Sequence, residues 1–223
     1  MHHQVTSSLK RLLLSGAGIS RLTDLSPSKA LFSQGDTAEA LYFLEDGLIK
    51  LTRSSCGGRK FILAICGPNH LLGEECLTGG PERYHAKAEA LGPVTVYRIP
   101  WETLKRLTQD HPEISNAFMQ YLLREKLAYA HKVELLCLHG VEDRVLYYLE
   151  KLAKLVKPDK DGSHALPITQ LELGYLVGAT RETTSTILNH LQEKGFVKLS
   201  RQLLTVYLPY PRSASTAAMG RGR

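Results

Sequence analysis

Residues 169–195, TQLELGYLVGATRETTSTILNHLQEKG, decide how the rest of the chain is read. Thr169 and Glu172 stand at capping-box spacing: the Thr hydroxyl can accept the backbone N–H of Glu172 while the carboxylate reaches back, which starts a helix. Gly178 ends that helix, Ala179 and Thr180 turn the chain, and Thr180 caps a second helix running through Glu193. The second helix has too few apolar residues for a core helix and too few charges for a solvated one. Its Thr184, Ile187, Leu188 and Leu191 repeat at i, i+3, i+4 and i+7 and form an inward stripe. The other face carries Arg181, Glu182, Ser185, Thr186 and Asn189, all able to donate or accept hydrogen bonds at base edges. Two helices joined by such a turn read as a helix-turn-helix, with the polar face placed to enter a major groove of double-stranded DNA.

The residues that follow agree with this. FVKLSRQLLTVYL, 196–208, holds two β-prone runs around a Ser200-Arg201-Gln202 turn, the pattern of a wing. Residues 181–212 carry five basic side chains (Arg181, Lys194, Lys198, Arg201, Arg212) against two acidic ones (Glu182, Glu193), which puts positive charge where a phosphate backbone needs it. The DNA-contact set read from this region is Thr169, Thr180, Arg181, Glu182, Thr183, Ser185, Thr186, Asn189, Lys198 and Arg201. The tail beyond residue 210, ending in SASTAAMGRGR, has the composition of a disordered segment.

On the amino-terminal side, KPDKDGSHALP (157–167) reads as a loop, and VEDRVLYYLEKLAKLV (141–156) as a helix with Val145, Leu146, Leu149, Leu152, Ala153 and Val156 on one face. Before it, about 27 residues from Pro112 to Gly140 lack Pro and Gly, enough for a helix of ~40 Å. Ile114, Ala117, Tyr121, Ala128, Leu135 and Leu138 fall at alternating three- and four-residue steps along it, interrupted by Arg124 and His131. A stripe of this kind suits a helix that packs half on its own domain and half on a two-fold mate, making a homodimer. Residues 30–100 change texture. LYFL, LIKLT, KFILAI and VTVYRI are short β-prone runs, separated by turn signals at Asp46-Gly47, Gly57-Gly58 and Gly67-Pro68-Asn69. Closely spaced strands with Gly-rich turns indicate a sandwich or barrel rather than alternating β and α. A short helix, SLKRLLLSG, precedes them.

The divisions drawn are therefore a β-rich domain (1–110), a dimerisation helix (111–139), a winged helix-turn-helix domain (140–210) and a tail (211–223), an α+β chain. The net charge of +6 and isoelectric point near 9.1 fit a polyanionic partner. No apolar run approaches the ~18 residues of a membrane span, and polar His2, His3 and Gln4 stand where a signal peptide would begin its apolar core; both point to the cytoplasm. Cys56, Cys66, Cys76 and Cys137 form no C-x-x-C pair and read as free thiols; the ten-residue spacing of the first three is the one feature that suggests a metal.

The chain resembles the CRP/FNR family of bacterial transcription regulators over roughly residues 28–208. LFSQGDTAEALYFLEDGLIKL, LLGEECL and ITQLELGYLVGATRETTSTILNHLQEKGFV occur in the family's order and spacing, with Gly35, Gly47, Gly73, Glu74, Gly178, Arg181, Glu182 and Thr183 on motif positions. The resemblance implies an antiparallel, jelly-roll-like β-roll sensor over residues 1–110, a long dimerising helix and a winged helix-turn-helix, binding as a homodimer to two-fold-related half-sites and meeting RNA polymerase where the regulator activates. It also implies an effector pocket around Gly73, Glu74, Arg83, Tyr84, His85, Glu125 and Tyr129. In cyclic-AMP-binding members an Arg-Ser pair before an Ala holds the phosphate; here Tyr84 and His85 precede Ala86, and Arg83 lies one position early. The long-helix Arg and Thr of those members align with Glu125 and Tyr129, and a carboxylate repels a phosphate. These departures argue against cyclic AMP. The family's second recognition arginine aligns with Thr186, which cannot contact guanine bidentately.

Cluster-binding members carry cysteines near the amino terminus, and this chain has none before Cys56. Cys76, His70 and His85 keep a haem- or thiol-based sensor as the alternative reading. The competing class is a metal-dependent enzyme on the β-roll. It needs an H-x-H pair that the chain lacks, as it lacks G-x-S-x-G, G-x-x-x-x-G-K-[ST] and H-E-x-x-H. No enzymatic activity is expected.

Overall fold

The computed structural model describes residues 10–11, 18–25 and 29–209. The short helix read over SLKRLLLSG and the tail beyond 210 lie outside the described residues, apart from helical Lys10 and Arg11.

The first unit, which ends at Ala130, is built on two four-stranded antiparallel sheets. One has the order β1 (Ser20–Leu25), β8 (Val94–Pro100), β3 (Ala40–Asp46), β6 (His70–Leu72); the other β2 (Ala30–Phe32), β7 (Lys87–Ala90), β4 (Ile49–Ser54), β5 (Lys60–Cys66). The four β-prone runs became β3, β4, β5 and β8. β4 alternates buried Ile49 and Leu51 with half-buried Lys50 and Thr52, as a strand with one face in a core must. β3 is buried throughout Ala40–Leu44, because helix α1 (Trp101–Asp110) packs on β3 and β8 from outside the roll. Leu104 and Leu107 of α1, and Ile114, Phe118 and Tyr121 of α2 (Pro112–Leu138), join the same core as Leu41 and Phe43.

The long helix corrects the stripe read for it. Ile114, Tyr121 and Leu135 are buried and Ala117 half-buried, but Ala128 and Leu138 are exposed. The stripe's first half is thus the face turned to the chain's own core. Outside that stripe, Met119, Leu122, Leu123 and Leu127, and beyond Ala130 Val133, are also left uncovered. Two apolar stripes overlap on one helix, and spacing alone does not say which faces inward.

The second unit, from His131, holds α3 (Val141–Ala153), α4 (Gln170–Val177) and α5 (Arg181–Glu193), with β9 (His164–Leu166), β10 (Val197–Leu199) and β11 (Leu204–Val206) in a sheet of order β10-β11-β9. The stretch read as a loop therefore contributes β9 to the wing. Leu166, Val197, Leu204 and Val206 of this sheet are buried with Leu149 of α3, Leu173 of α4 and Leu188 of α5.

Candidate functional site

The helix-turn-helix is set by its caps. Thr169 Oγ1 accepts the Glu172 N–H at 3.1 Å, and Glu172 Oε2 accepts the Thr169 N–H at 2.8 Å and its hydroxyl at 2.9 Å. These bonds make Thr169 a structural cap for α4. Thr180 caps α5 through the Thr183 N–H at 3.2 Å, and its hydroxyl also lies 3.1 Å from that of Thr183. Between the helices the chain has almost no spare room. A Cβ on Gly174 would come within 3.1 Å of Thr184 Oγ1 and 3.2 Å of the Ala179 carbonyl, so a side chain there requires the turn to give by a few tenths of an ångström. Thr184 is fully buried, its hydroxyl donating to the Thr180 carbonyl at 2.8 Å.

With Thr184, Leu188 and Leu191 inside and Ile187, the fourth residue of the stripe, only half-buried, α5 presents Arg181, Glu182, Thr183, Thr186 and Asn189 to solvent, and Ser185 is half-buried. The backbone N–H of Glu182 and the Thr180 hydroxyl hold the Glu182 carboxyl below its ordinary range, so it remains an acceptor at neutral pH. The Thr186 hydroxyl donates to the Glu182 carbonyl one turn back, at 3.0 Å. Lys198 on β10 and Arg201 at the tip between β10 and β11 are both exposed. Cation-bearing wing and polar helix face thus occupy one small three-helix unit, although Arg212 lies outside the described residues.

A second candidate region lies in the β-roll. A cavity of about 280 Å³ is lined by Phe32, Leu51, Arg53, Gly73, Glu74, Glu75, His85 and Tyr129, among others. Gly73 has φ 79°, and a Cβ there would lie 2.9 Å from the Tyr84 ring, so both the turn and the close approach require glycine. Burial pushes the Glu74 carboxyl above its ordinary range. Glu75 Oε1 accepts the His85 backbone N–H at 2.9 Å and lies 3.7 Å from His85 Nδ1.

Of the pocket residues read from sequence, Gly73, Glu74, His85 and Tyr129 line this cavity, and three do not. Tyr84 is a core residue, its ring 3.9 Å from that of Phe32 and its hydroxyl donating to the Ala40 carbonyl at 2.8 Å. Arg83 turns away and donates to the Gly35 carbonyl at 2.6 Å. Glu125 pairs with His70 at 3.5 Å; burial opposes protonation of that imidazole, but Cys66 and Glu125 beside it hold it well above its usual range. Arg53 and Glu75 were missed. Arg53 sits in β4 one residue beyond the β-prone run LIKLT, and Glu75 was eclipsed by the glycine-glutamate pair before it. Cys56 and Cys137 are exposed, while Cys66 and Cys76 are buried; burial pushes the Cys76 thiol up to about 12, where it carries no thiolate at neutral pH.

Comparison with known proteins matches two stretches of the chain to known domain families. The Cyclic nucleotide-binding domain family matches residues 22–111 and the Crp-like helix-turn-helix domain family residues 143–208. The Cyclic AMP receptor protein of Thermus thermophilus is 32% identical over 171 residues, covering 77% of this chain and 76% of its own. A Global nitrogen regulator of Synechocystis is 28% identical over 187 residues, 82% of each chain. Among solved structures, the c-di-GMP responsive global regulator CLP of Xanthomonas campestris superposes with a TM-score of 0.75 at 22% identity, over 91% of this chain and all of that one. FixK2 of Bradyrhizobium japonicum gives 0.73 at 19%, over 85% and 93%. Among the described residues no helix is long and apolar enough to cross a membrane.

Proposed function

We propose, since the chain belongs to the CRP/FNR family of transcription regulators, that it binds DNA as a homodimer and places one α5 helix in each half-site of a two-fold-related operator. Regulation of transcription through the helix-turn-helix is the family's activity; the relatives and the fold are those of regulators, not enzymes. The observation that carries the reading is the division of α5. One face is buried through Thr184, Leu188 and Leu191, and the other offers Arg181, Glu182, Thr186 and Asn189 beside the wing cations Lys198 and Arg201. Arg181 suits bidentate contact with guanine, and Lys198 and Arg201 suit phosphates. Thr169, Thr180 and Thr183 act by holding the helix starts against the backbone.

The uncovered stripe of Met119, Leu122, Leu123 and Leu127 supports the dimer, since exposed large apolar residues at helical spacing want a partner. Two such chains would set their α5 helices about one DNA turn, ~34 Å, apart. The β-roll cavity takes the controlling signal, and that signal is not cyclic AMP. The supporting geometry is Arg83 turned to Gly35, Tyr84 in the core, and the Glu75 carboxylate on the His85 N–H, where it adds negative charge beside Glu74. Where the regulator activates, RNA polymerase is the further partner. Selection from a random duplex library tests the whole reading: it should enrich a palindrome with a G·C pair at a fixed place in each half-site, and enrichment of no sequence would overturn it.

A further inference from the structure

We infer that Thr186 reads a thymine in each half-site through its γ-methyl group, an inference that rests on α5 being the helix in the groove. Thr186 is exposed in the middle of the polar face, with Glu182 one turn before it and Asn189 one turn after. A threonine in that place could use either of two groups, the hydroxyl or the methyl. The hydroxyl's one proton is committed: it donates to the Glu182 carbonyl at 3.0 Å, an i to i−4 bond within the helix. Its proton is therefore not available to guanine O6 or N7, to adenine N7 or to thymine O4. The methyl has no such engagement, and the major-groove feature that an apolar group recognises is the thymine C5-methyl.

The neighbours sharpen the preference. Glu182 keeps an ionised carboxylate at the helix start, and a carboxylate repels the acceptor-rich edge of guanine while accepting from an amino group. Arg181, adjacent and exposed, supplies the cationic contact of this face. A short apolar group between Glu182 and Asn189 then fits a base pair whose groove edge is in part apolar. Adenine–thymine is the one pair that qualifies.

The test removes the methyl from each partner separately. In the operator selected by the full-length protein, each thymine of a half-site is replaced in turn by deoxyuridine, which deletes only the C5-methyl. Affinity is measured for the parent and for Thr186→Ser, which deletes only the γ-methyl and keeps the hydroxyl. Burial of one methyl corresponds to about a fourfold change. One thymine should show that loss with the parent protein, and the same replacement should leave Thr186→Ser unchanged. Binding that stays sequence-specific while no deoxyuridine matters overturns the inference and leaves the operator reading intact. A Thr186→Ser protein that keeps the parent's thymine preference also overturns it, because the hydroxyl would then be the reader. If no operator can be selected, the reading of α5 fails, and this inference with it.

Discussion

Lys132 offers the sharpest physical test of the second unit. It lies on the last third of α2 and is only 7% exposed. Its Nζ stands 5.3 Å from the centre of the Tyr148 ring, and Lys151 Nζ stands 5.9 Å from the same ring. Burial, and then the charge of Lys151, push the Lys132 ammonium down to about 7. The sign follows from linkage. Between pH 7 and the ordinary lysine value the unfolded chain holds a proton that the folded chain has released, so stability rises with pH at about 1.4 kcal/mol per unit. Below pH 7 both states are protonated and this slope vanishes. Lys132→Met keeps the stem and removes the titration. The stability difference between parent and variant should therefore move by about 2.7 kcal/mol in the parent's favour from pH 7 to pH 9. Urea unfolding followed by circular dichroism at each pH measures the difference, and comparison with the variant cancels every other titrating group. Carbon-13 NMR at the lysine Cε positions reports the proton directly, with one lysine moving near pH 7. Parallel stability curves, or lysines that all titrate above pH 9.5, would refute the reasoning.

Arg181→Ala should cost about 1 to 3 kcal/mol at the best operator and little elsewhere, whereas Lys198→Ala should weaken all sequences alike and lower the salt slope by about one; competition binding at several salt concentrations separates the two. Leu123→Glu puts a charge into the uncovered stripe of α2 and should convert a dimer to a monomer in size-exclusion light scattering, while a parent protein that is itself monomeric with and without DNA would remove the basis for the dimer. Thr169→Ala loses the α4 capping box and should lower the stability of the second unit by about 1 kcal/mol in thermal unfolding, with base preference unchanged. Titration calorimetry with cyclic AMP should show no micromolar binding, and a micromolar affinity with a matching gain in DNA binding would contradict the assignment of the cavity.

The elements that the sequence announced are those whose signal is local. Thr169 and Glu172 speak to each other across one helical turn, and the structure has both of their reciprocal bonds. The long helix was bounded by Pro112, which a helix tolerates at its first position, and by Gly140, which favours an end. Elements that failed to announce themselves depend on distant partners. β9 is three residues between Ser163 and Pro167, too short for any alternation to register, and exists because β11 pairs with it. α1 begins at Trp101 directly after the last strand residue, Pro100, so no loop or polar cap separates the two periodicities.

The cavity was harder to read than the DNA face for a related reason. Side chains on one helix keep their relative positions whatever surrounds the helix, so Thr184, Leu188 and Leu191 were sorted inward from spacing alone. In extended chain a residue's side depends on register with another strand, and one step of slip exchanges inside for outside. The segment 83–86 is such a case. Thr37 bridges Arg83, and this fixes an alternation in which Tyr84 and Ala86 are buried while Arg83 and His85 are exposed. Arg83 shares the side of His85, which lines the cavity, yet its guanidinium donates to the Gly35 carbonyl, and the opposite alternation is closed to the segment. That alternation would place the Tyr84 ring outside, away from Phe32, and would break the bonds of its hydroxyl with Ala40. The core therefore decides the orientation of Arg83, and through it how the cavity can receive a charged signal.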